Sequence, residues 1–253
     1  MLELCRAIAE RVQAAIAPLV GKGREKEIDV AAEKAAFDGL RESGLSMLLV
    51  SEESGITLIG EEPEYICQLD PLDGTFNAAN AIPAYAFSIA FSRYKKGATL
   101  EDIEHALVKN LVTGESYEAS KGKGARKNDQ PLEPSEQRVL EEGTYCVYLY
   151  GSQLRELSPA LERFNKIRIL GCASLELCYV ASGGYEGFID LRGCLRNVDI
   201  AAGKLIVEEA GGRVTGKHGE NLRIGIEDIN TTSLVAGANS YLYGELASLL
   251  GIK

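Results

Sequence analysis

The residues in this chain best able to do chemistry are acidic and arrive in short strings. Asp70-Pro71-Leu72-Asp73-Gly74-Thr75-Phe76-Asn77 follows directly on the apolar run Ile66 to Leu69, and Glu52-Glu53 lies just beyond Met47 to Val50. Two runs of strand length therefore deliver carboxylates at their ends. If those strands are neighbours the carboxylates meet, and they repel unless a cation stands among them. Hard oxygen donors of this kind suit Mg2+. Pro71 sets the backbone so that Asp70 and Asp73, with the Leu72 carbonyl between them, can face one ion. Gly74 permits close backbone approach, and the N–H groups of Gly74 and Thr75 can receive a phosphate oxygen at the start of a helix or turn. A solvated turn explains Asp-Pro or Asp-Gly alone. The full string is more specific than either dipeptide.

The elements that must position these groups read as α+β. Apolar residues at helical spacing from Leu2 to Leu19 predict an amphipathic helix ended by Gly21-Lys22-Gly23, and Asp29 is placed to cap a second helix through Glu33, Ala36 and Leu40. Short strands are expected at Met47 to Val50 and Ile66 to Leu69, then sheet at Tyr85 to Phe91 and Ile103 to Tyr117, with turns at Lys96-Gly97 and Thr113-Gly114. Farther on, Val139 to Tyr150 reads as strand, as do Ile167 to Leu170, Tyr185 to Asp190 and Leu234 to Ala236. Ser174 to Ala181, Asp199 to Ala210 and Tyr241 to Leu250 read as helices. No repeat or long linker divides the chain, so residues 1–138, carrying the acidic strings, and 139–253, building a substrate pocket, are expected to form one compact unit.

A net charge of −10 over 253 residues opposes nonspecific binding to nucleic acid or an anionic membrane, and neither is expected as a partner. An acidic protein handling an anionic ligand needs local compensation from arginines or divalent cations. The six cysteines (Cys5, Cys67, Cys146, Cys172, Cys178 and Cys194) form no C-x-x-C pair, which argues against zinc and for most of them being small buried hydrophobes. No basic leader and no run near the roughly 18 apolar residues of a membrane span is visible, so a cytoplasmic location is expected.

From Asp29 onward the strings together resemble the inositol monophosphatase superfamily, most nearly its archaeal-type fructose-1,6-bisphosphatase branch. Asp70 to Thr75 is similar to the signature D-P-(I/L)-D-G-T, and Ser51-Glu52-Glu53-Ser54 to G-E-E-S. Asp29-x-x-x-Glu33 resembles the early helical Asp. Thr113-Gly114-Glu115 with Lys121-Gly122-Lys123-Gly124-Ala125 resembles the family's hairpin, and Val198-Asp199-Ile200-Ala201-Ala202-Gly203 resembles W-D-x-x-A-G. Val198 departs from the tryptophan of that signature, which costs packing but removes no ligand.

The resemblance implies a layered α-β-α-β-α sandwich, a homodimer, and two or three Mg2+ ions for which Mn2+ can substitute. It implies one ion on Glu52, Asp70 and the Leu72 carbonyl, another on Asp70, Asp73 and Asp199, and a weaker third near Glu52. It also implies that Thr75, oriented by Asp29, works with Glu52 to activate a water, with no covalent phosphoenzyme. For Asp29 a plain helix cap stands beside this role, as it does for Asp199.

Gly171-Cys172-Ala173-Ser174 resembles the turn that faces the sugar or inositol ring, which brings Ala173 into the pocket together with Asp73, Gly74 and Thr75. Arg192 stands seven residues before Asp199, where animal-type relatives carry an acidic residue. A guanidinium can grip a second phosphate bidentately, with Arg168 assisting, although a surface ion pair is a common fate for either arginine. These features favour fructose-1,6-bisphosphate 1-phosphatase and inositol-1-monophosphatase activities on a small phosphate ester. The alternatives are a 3′-phosphoadenosine 5′-phosphate phosphatase or a non-catalytic regulator that keeps the fold. Lys22 and its glycines form either a loop near the site or a helix stop, and His105 and His218 belong to no constellation.

Overall fold

The computed structural model describes residues 1–149 and 154–252. Helix α1 (Leu2–Ile16) buries Cys5, Ile8, Ala9, Val12 and Ile16 as one stripe at helical spacing. Beside it α2 (Glu25–Glu42) buries Ile28, Ala32, Ala36 and Leu40. Arg24 holds the cap position of α2, so Asp29 lies one turn inside the helix and caps nothing.

Among the described residues the strands form two sheets. The first contains β1 (Met47–Ser51), β2 (Gly55–Ile59), β3 (Tyr65–Asp73), β4 (Ala86–Arg93), β5 (His105–Asn110), β6 (Ser116–Ser120), β7 (Ala125–Lys127) and β8 (Gln130–Pro131), in the order β2-β1-β3-β4-β5-β6-β7-β8. Only the β1–β3 pairing in it is parallel. A short helix α3 (Thr75–Ala79) leaves the end of β3. The second sheet has the order β10-β9-β11-β13-β12, built from β9 (Thr144–Val147), β10 (Lys166–Arg168), β11 (Gly187–Arg196), β12 (Arg213–Thr215) and β13 (Thr231–Gly237). The remaining helices are α4 (Leu154–Leu161), α5 (Ala173–Ala181), α6 (Asn197–Glu209) and α7 (Ser240–Leu249).

These elements stack as helix, sheet, helix, sheet, helix. Strand alternation sends Cys67, Leu69, Phe87, Ile89 and Phe91 towards α1 and α2, and Ile66, Ala86 and Ala90 towards α5 and α6. Strands covered on both faces read as continuous apolar runs, which is why β3 and β4 were recognisable. The middle helices also pack on the second sheet through Phe188, Leu195 and Ala236, and α4 and α7 close its outer face over Tyr145, Ile189 and Val235. Gly203 makes the middle layer thin, because a Cβ there would stand 2.7 Å from Leu177 Cβ. Val198 is buried in this layer at the position of the family's tryptophan.

Several boundaries differ from expectation. Val139 to Tyr150 shortens to β9, because Leu140–Glu142 forms a 3-10 turn that feeds the strand, and Tyr150 lies outside the described residues. The acidic segment Asp70 to Asp73 continues β3 with a shift in register against β4. Pro71 has no N–H for the ladder, and the resulting bulge re-aims Asp73, which follows it. Helix α4 and strands β2 and β12 were not expected.

Candidate active site

Register brings the first two carboxylates together. Ser51 of β1 lies opposite Leu69 of β3 in the parallel pairing, so Glu52, just past the end of β1, and Asp70, still within β3, stand at the same level. The Glu52 N–H donates to the Leu69 carbonyl at 3.1 Å, which extends the pairing to the end of the site. Asp70 is 2% exposed, and its Oδ1 accepts the Leu72 N–H at 3.0 Å. Asp199 arrives from the middle layer as the third residue of α6. It accepts the Arg196 N–H at 3.0 Å and so satisfies an orphan donor at the helix start, although the cap position belongs to Arg196. Carboxylate oxygens of Glu52, Asp70 and Asp199 lie within 4.8 Å of one another.

Asp73 is turned differently from the other three. Its Oδ2 accepts both the Ser174 N–H at 2.7 Å and the Ser174 hydroxyl at 2.6 Å, which joins the end of β3 to the first turn of α5. The Leu72 carbonyl accepts the Thr75 hydroxyl at 3.1 Å, and the same hydroxyl lies 2.7 Å from Asp29 Oδ1. Gly74 makes this turn possible at φ +87°. Nearby, Glu33 Oε2 accepts the Ser51 hydroxyl at 2.8 Å. The Gly21-Lys22-Gly23 loop is tied to α3 by N–H donation from Gly21 to Ala78 and from Gly23 to Ala79, at 2.9 and 2.7 Å.

Sequence reasoning missed Arg196. Its Nη1 lies 2.5 Å from Glu52 Oε1, its Nη2 lies 3.0 Å from Asp199 Oδ1, and its Nε lies 3.1 Å from both Asp199 oxygens. The available signal was an Arg three residues before an Asp at a helix start. Asn197 was missed as well. Buried at the start of α6, it donates to the Asp228 carbonyl at 2.8 Å and accepts the Asn230 N–H at 3.1 Å, anchoring the turn that presents Asp199.

The carboxylates are held against their charge. Burial first, then the neighbouring Glu52, Asp73 and Asp199, pushes Asp70 well above the ordinary aspartate range. Burial and Asp199 push Asp73 up to about 7 despite the Ser174 hydrogen bonds. Glu52 is also raised, chiefly by burial, with Arg196 pulling the other way. Asp29 is raised by burial, partly offset by the Thr75 hydrogen bond.

Three converging carboxylates facing one guanidinium leave negative charge uncompensated, and every converging donor is a hard oxygen. The set fits a divalent cation such as Mg2+. Glu52, Asp70 and Asp199 can hold one ion; Asp73, expected with Asp70 and Asp199 on a second, is not in this cluster, because its carboxylate is turned to Ser174.

Of the residues expected to face a substrate, Ala173 is buried with its neighbour Cys172 at the start of α5, and the Cys172 thiol lies 3.4 Å from the Asp73 carbonyl. Arg192 is paired with the fully buried Asp190: its Nη2 is 2.5 Å from Oδ2 and its Nε 3.0 Å from both oxygens. Its guanidinium stacks 4.4 Å from the centre of the Tyr148 ring, and Tyr148 donates its hydroxyl to Glu176 at 2.7 Å. Glu176 is fully buried and also accepts the Leu170 N–H at 2.8 Å. Arg168 is exposed and donates to the carbonyl of its own neighbour Ile167.

A layered α+β sandwich with carboxylates collected at the strand ends defines a class of metal-dependent phosphatases. The chain belongs to the inositol monophosphatase family, whose model matches residues 3–252. It is similar to the fructose-1,6-bisphosphatase/inositol-1-monophosphatase of Methanothermobacter thermautotrophicus, at 40% identity over 97% of this chain and 94% of that protein. It is also 34% identical, over 99% of its length, to the bifunctional NADP phosphatase/NAD kinase of Methanococcus maripaludis, of which it spans 49%. Among solved structures it superposes on a Pyrococcus horikoshii protein described as similar to inositol-1 monophosphatase, with a TM-score of 0.84 and 27% identity over 99% of this chain and 97% of that one.

Proposed function

We propose that this chain is a Mg2+-dependent phosphatase of sugar and cyclitol phosphate monoesters, hydrolysing fructose-1,6-bisphosphate at its 1-phosphate and inositol 1-phosphate in the same pocket. The observation that carries this reading is the convergence of Glu52, Asp70 and Asp199 within 4.8 Å, beside a hydroxyl–carboxylate pair made by Thr75 and Asp29. Glu52, Asp70 and Asp199 would hold Mg2+, which would supply charge neutralisation at the phosphoryl group and a more acidic water.

The protein's own groups supply the rest. Asp29 accepts the Thr75 hydroxyl hydrogen, which leaves the Thr75 oxygen able to accept a proton-bearing partner from the cleft. Glu52 is the second carboxylate that this reading assigns to that proton. Ser174 fixes Asp73 at the substrate face, and the backbone at Gly74, Thr75 and Ala173 can receive phosphate or ring oxygens. Arg192, held on Asp190 and Tyr148 with 18% of its side chain exposed, offers a pre-set guanidinium for a second phosphate.

The test is Mg2+-dependent phosphate release from fructose-1,6-bisphosphate, inositol 1-phosphate, 3′-phosphoadenosine 5′-phosphate and NADP. Turnover of the sugar and cyclitol esters is expected, with near loss in Asp73→Asn at unchanged fold. Turnover confined to either nucleotide would reassign the substrate, and no release from any of them would favour a regulator.

A further inference from the structure

Lys204 and Arg196 each bridge two carboxylates, and they differ in one respect. Lys204 on α6 bridges Glu101 and Glu208 at 3.0 and 2.8 Å with its side chain only 3% exposed, so it is locked between layers. Arg196, at the head of the same helix, bridges Glu52 and Asp199 with its side chain 36% exposed. About a third of its side chain meets solvent, so unlike Lys204 it is not enclosed on every side.

We propose that Arg196 is an internal counter-cation of the metal site: it bridges Glu52 and Asp199 when no ion is bound, and it must swing outward for a divalent cation to be held there. The inference rests on the reading that Glu52, Asp70 and Asp199 hold such an ion. The oxygens in contact with the guanidinium belong to two of the three groups that converge on the cation position. Glu52 follows a strand of the first sheet and Asp199 lies in the first turn of a helix of the middle layer, so the bridge also ties the two layers together. A positive charge a few ångströms from a divalent ion opposes its entry, while without the ion the same charge relieves repulsion among three carboxylates. Arg196 therefore weakens metal binding and stabilises the metal-free protein. The planar fork suits this bridging, whereas a lysine ammonium in its place would hold the two groups less well.

The experiment is Mg2+ titration calorimetry on the full chain stripped with chelator, paired with Tm measured with and without MgCl2, for wild type, Arg196→Gln and Arg196→Lys. Arg196→Gln is expected to bind Mg2+ about tenfold more tightly, once solvent screening of a part-exposed charge is allowed for. Its metal-free Tm should fall, and its Mg2+-induced rise in Tm should be larger than that of wild type. Arg196→Lys should lie between the two. A Gln variant that binds Mg2+ no more tightly than wild type overturns the proposal. If that variant does not fold without the ion, a Lys variant with wild-type affinity overturns it in turn. Wild type that binds no Mg2+ defeats the metal reading itself, a separate result.

Discussion

Thr75 and Asp29, separated by 46 residues of chain, meet at 2.7 Å between hydroxyl and carboxylate across the junction of α3 and α2. The Leu72 carbonyl, 3.1 Å from the same hydroxyl, is also an acceptor, so the hydroxyl hydrogen is committed and the oxygen's lone pairs are left for the cleft. Asp29→Asn replaces one acceptor oxygen with an amide that can donate, which lets the hydroxyl turn. The expected result is a fall in kcat of about 10²–10³-fold with little change in Mg2+ affinity. Thr75→Val should match it, and Thr75→Ser should keep most of the activity. Steady-state kinetics with a parallel Mg2+ titration checks this, and a wild-type kcat in Asp29→Asn would leave the pair a structural contact.

The raised carboxylates give the metal-free protein a pH dependence with a definite sign. Asp73 is pushed from the ordinary 3.8 to about 7, and Glu52 and Asp70 are also raised, so the folded state keeps protons that the unfolded chain has lost. Stability is then greatest at the acid end of this window and falls as pH rises towards 7. Tm of chelator-treated protein should be higher near about pH 5.5 than near about pH 8, and saturating Mg2+ should remove or reverse the difference. His105, lowered by burial, works in the opposite direction below its ordinary value. Comparison with Asp73→Asn cancels that contribution, and the slope in the variant should be shallower. Equal slopes would mean that Asp73 is ionised in the metal-free protein.

Much of the site could be read from residue order, and the unread parts depended on long-range geometry. Asp70 and Glu52 were recognisable because each follows an apolar run, but their meeting depends on the register that sets Ser51 against Leu69. Arg196 escaped notice because a charged residue three positions from an aspartate reads as a helix-surface pair. Strand β2 was missed because its alternation is inverted: Ile56 and Leu58, each 50% exposed, point outward, so the pattern names no buried face. Asp29 read as a cap because Asp commonly is one, and only the observed start at Glu25 moves it into the helix interior.

Arg192 is held before any substrate arrives, with Asp190 along one edge of the guanidinium and Tyr148 under its face. A second phosphate on the substrate would find a charge whose ordering is already complete, while a monophosphate gains little from it. Arg192→Glu should lower kcat/KM for fructose-1,6-bisphosphate by about 10²-fold, from loss of a charge-assisted pair and introduction of repulsion. The value for inositol 1-phosphate should change less or improve. Because the variant also leaves Asp190 facing a like charge, Arg192→Gln belongs in the comparison, with a smaller loss in the same direction. Equal losses on both esters would remove Arg192 from substrate selection.

Gly74 couples the backbone to both halves of the chemistry, since Asp73 precedes it and Thr75 follows. Its φ is +87°, and a Cβ there would stand 2.8 Å from the Ala84 carbonyl oxygen and 3.3 Å from Tyr85 Cα. Gly97 provides the matched control, with φ +75° and nothing within 4 Å of the same added atom. Gly97→Ala therefore carries only the left-handed strain, about 1 kcal/mol, and should leave kcat unchanged. Gly74→Ala adds backbone contacts that no side-chain rotation relieves, and about 2–3 kcal/mol is expected in urea unfolding. Relief requires the turn to move, which would pull Asp73 from Ser174 or Thr75 from Asp29. Loss of kcat at temperatures where the variant remains folded is therefore expected only for Gly74→Ala. Equal stability losses with full activity in both variants would show that the turn can yield without disturbing the groups on either side.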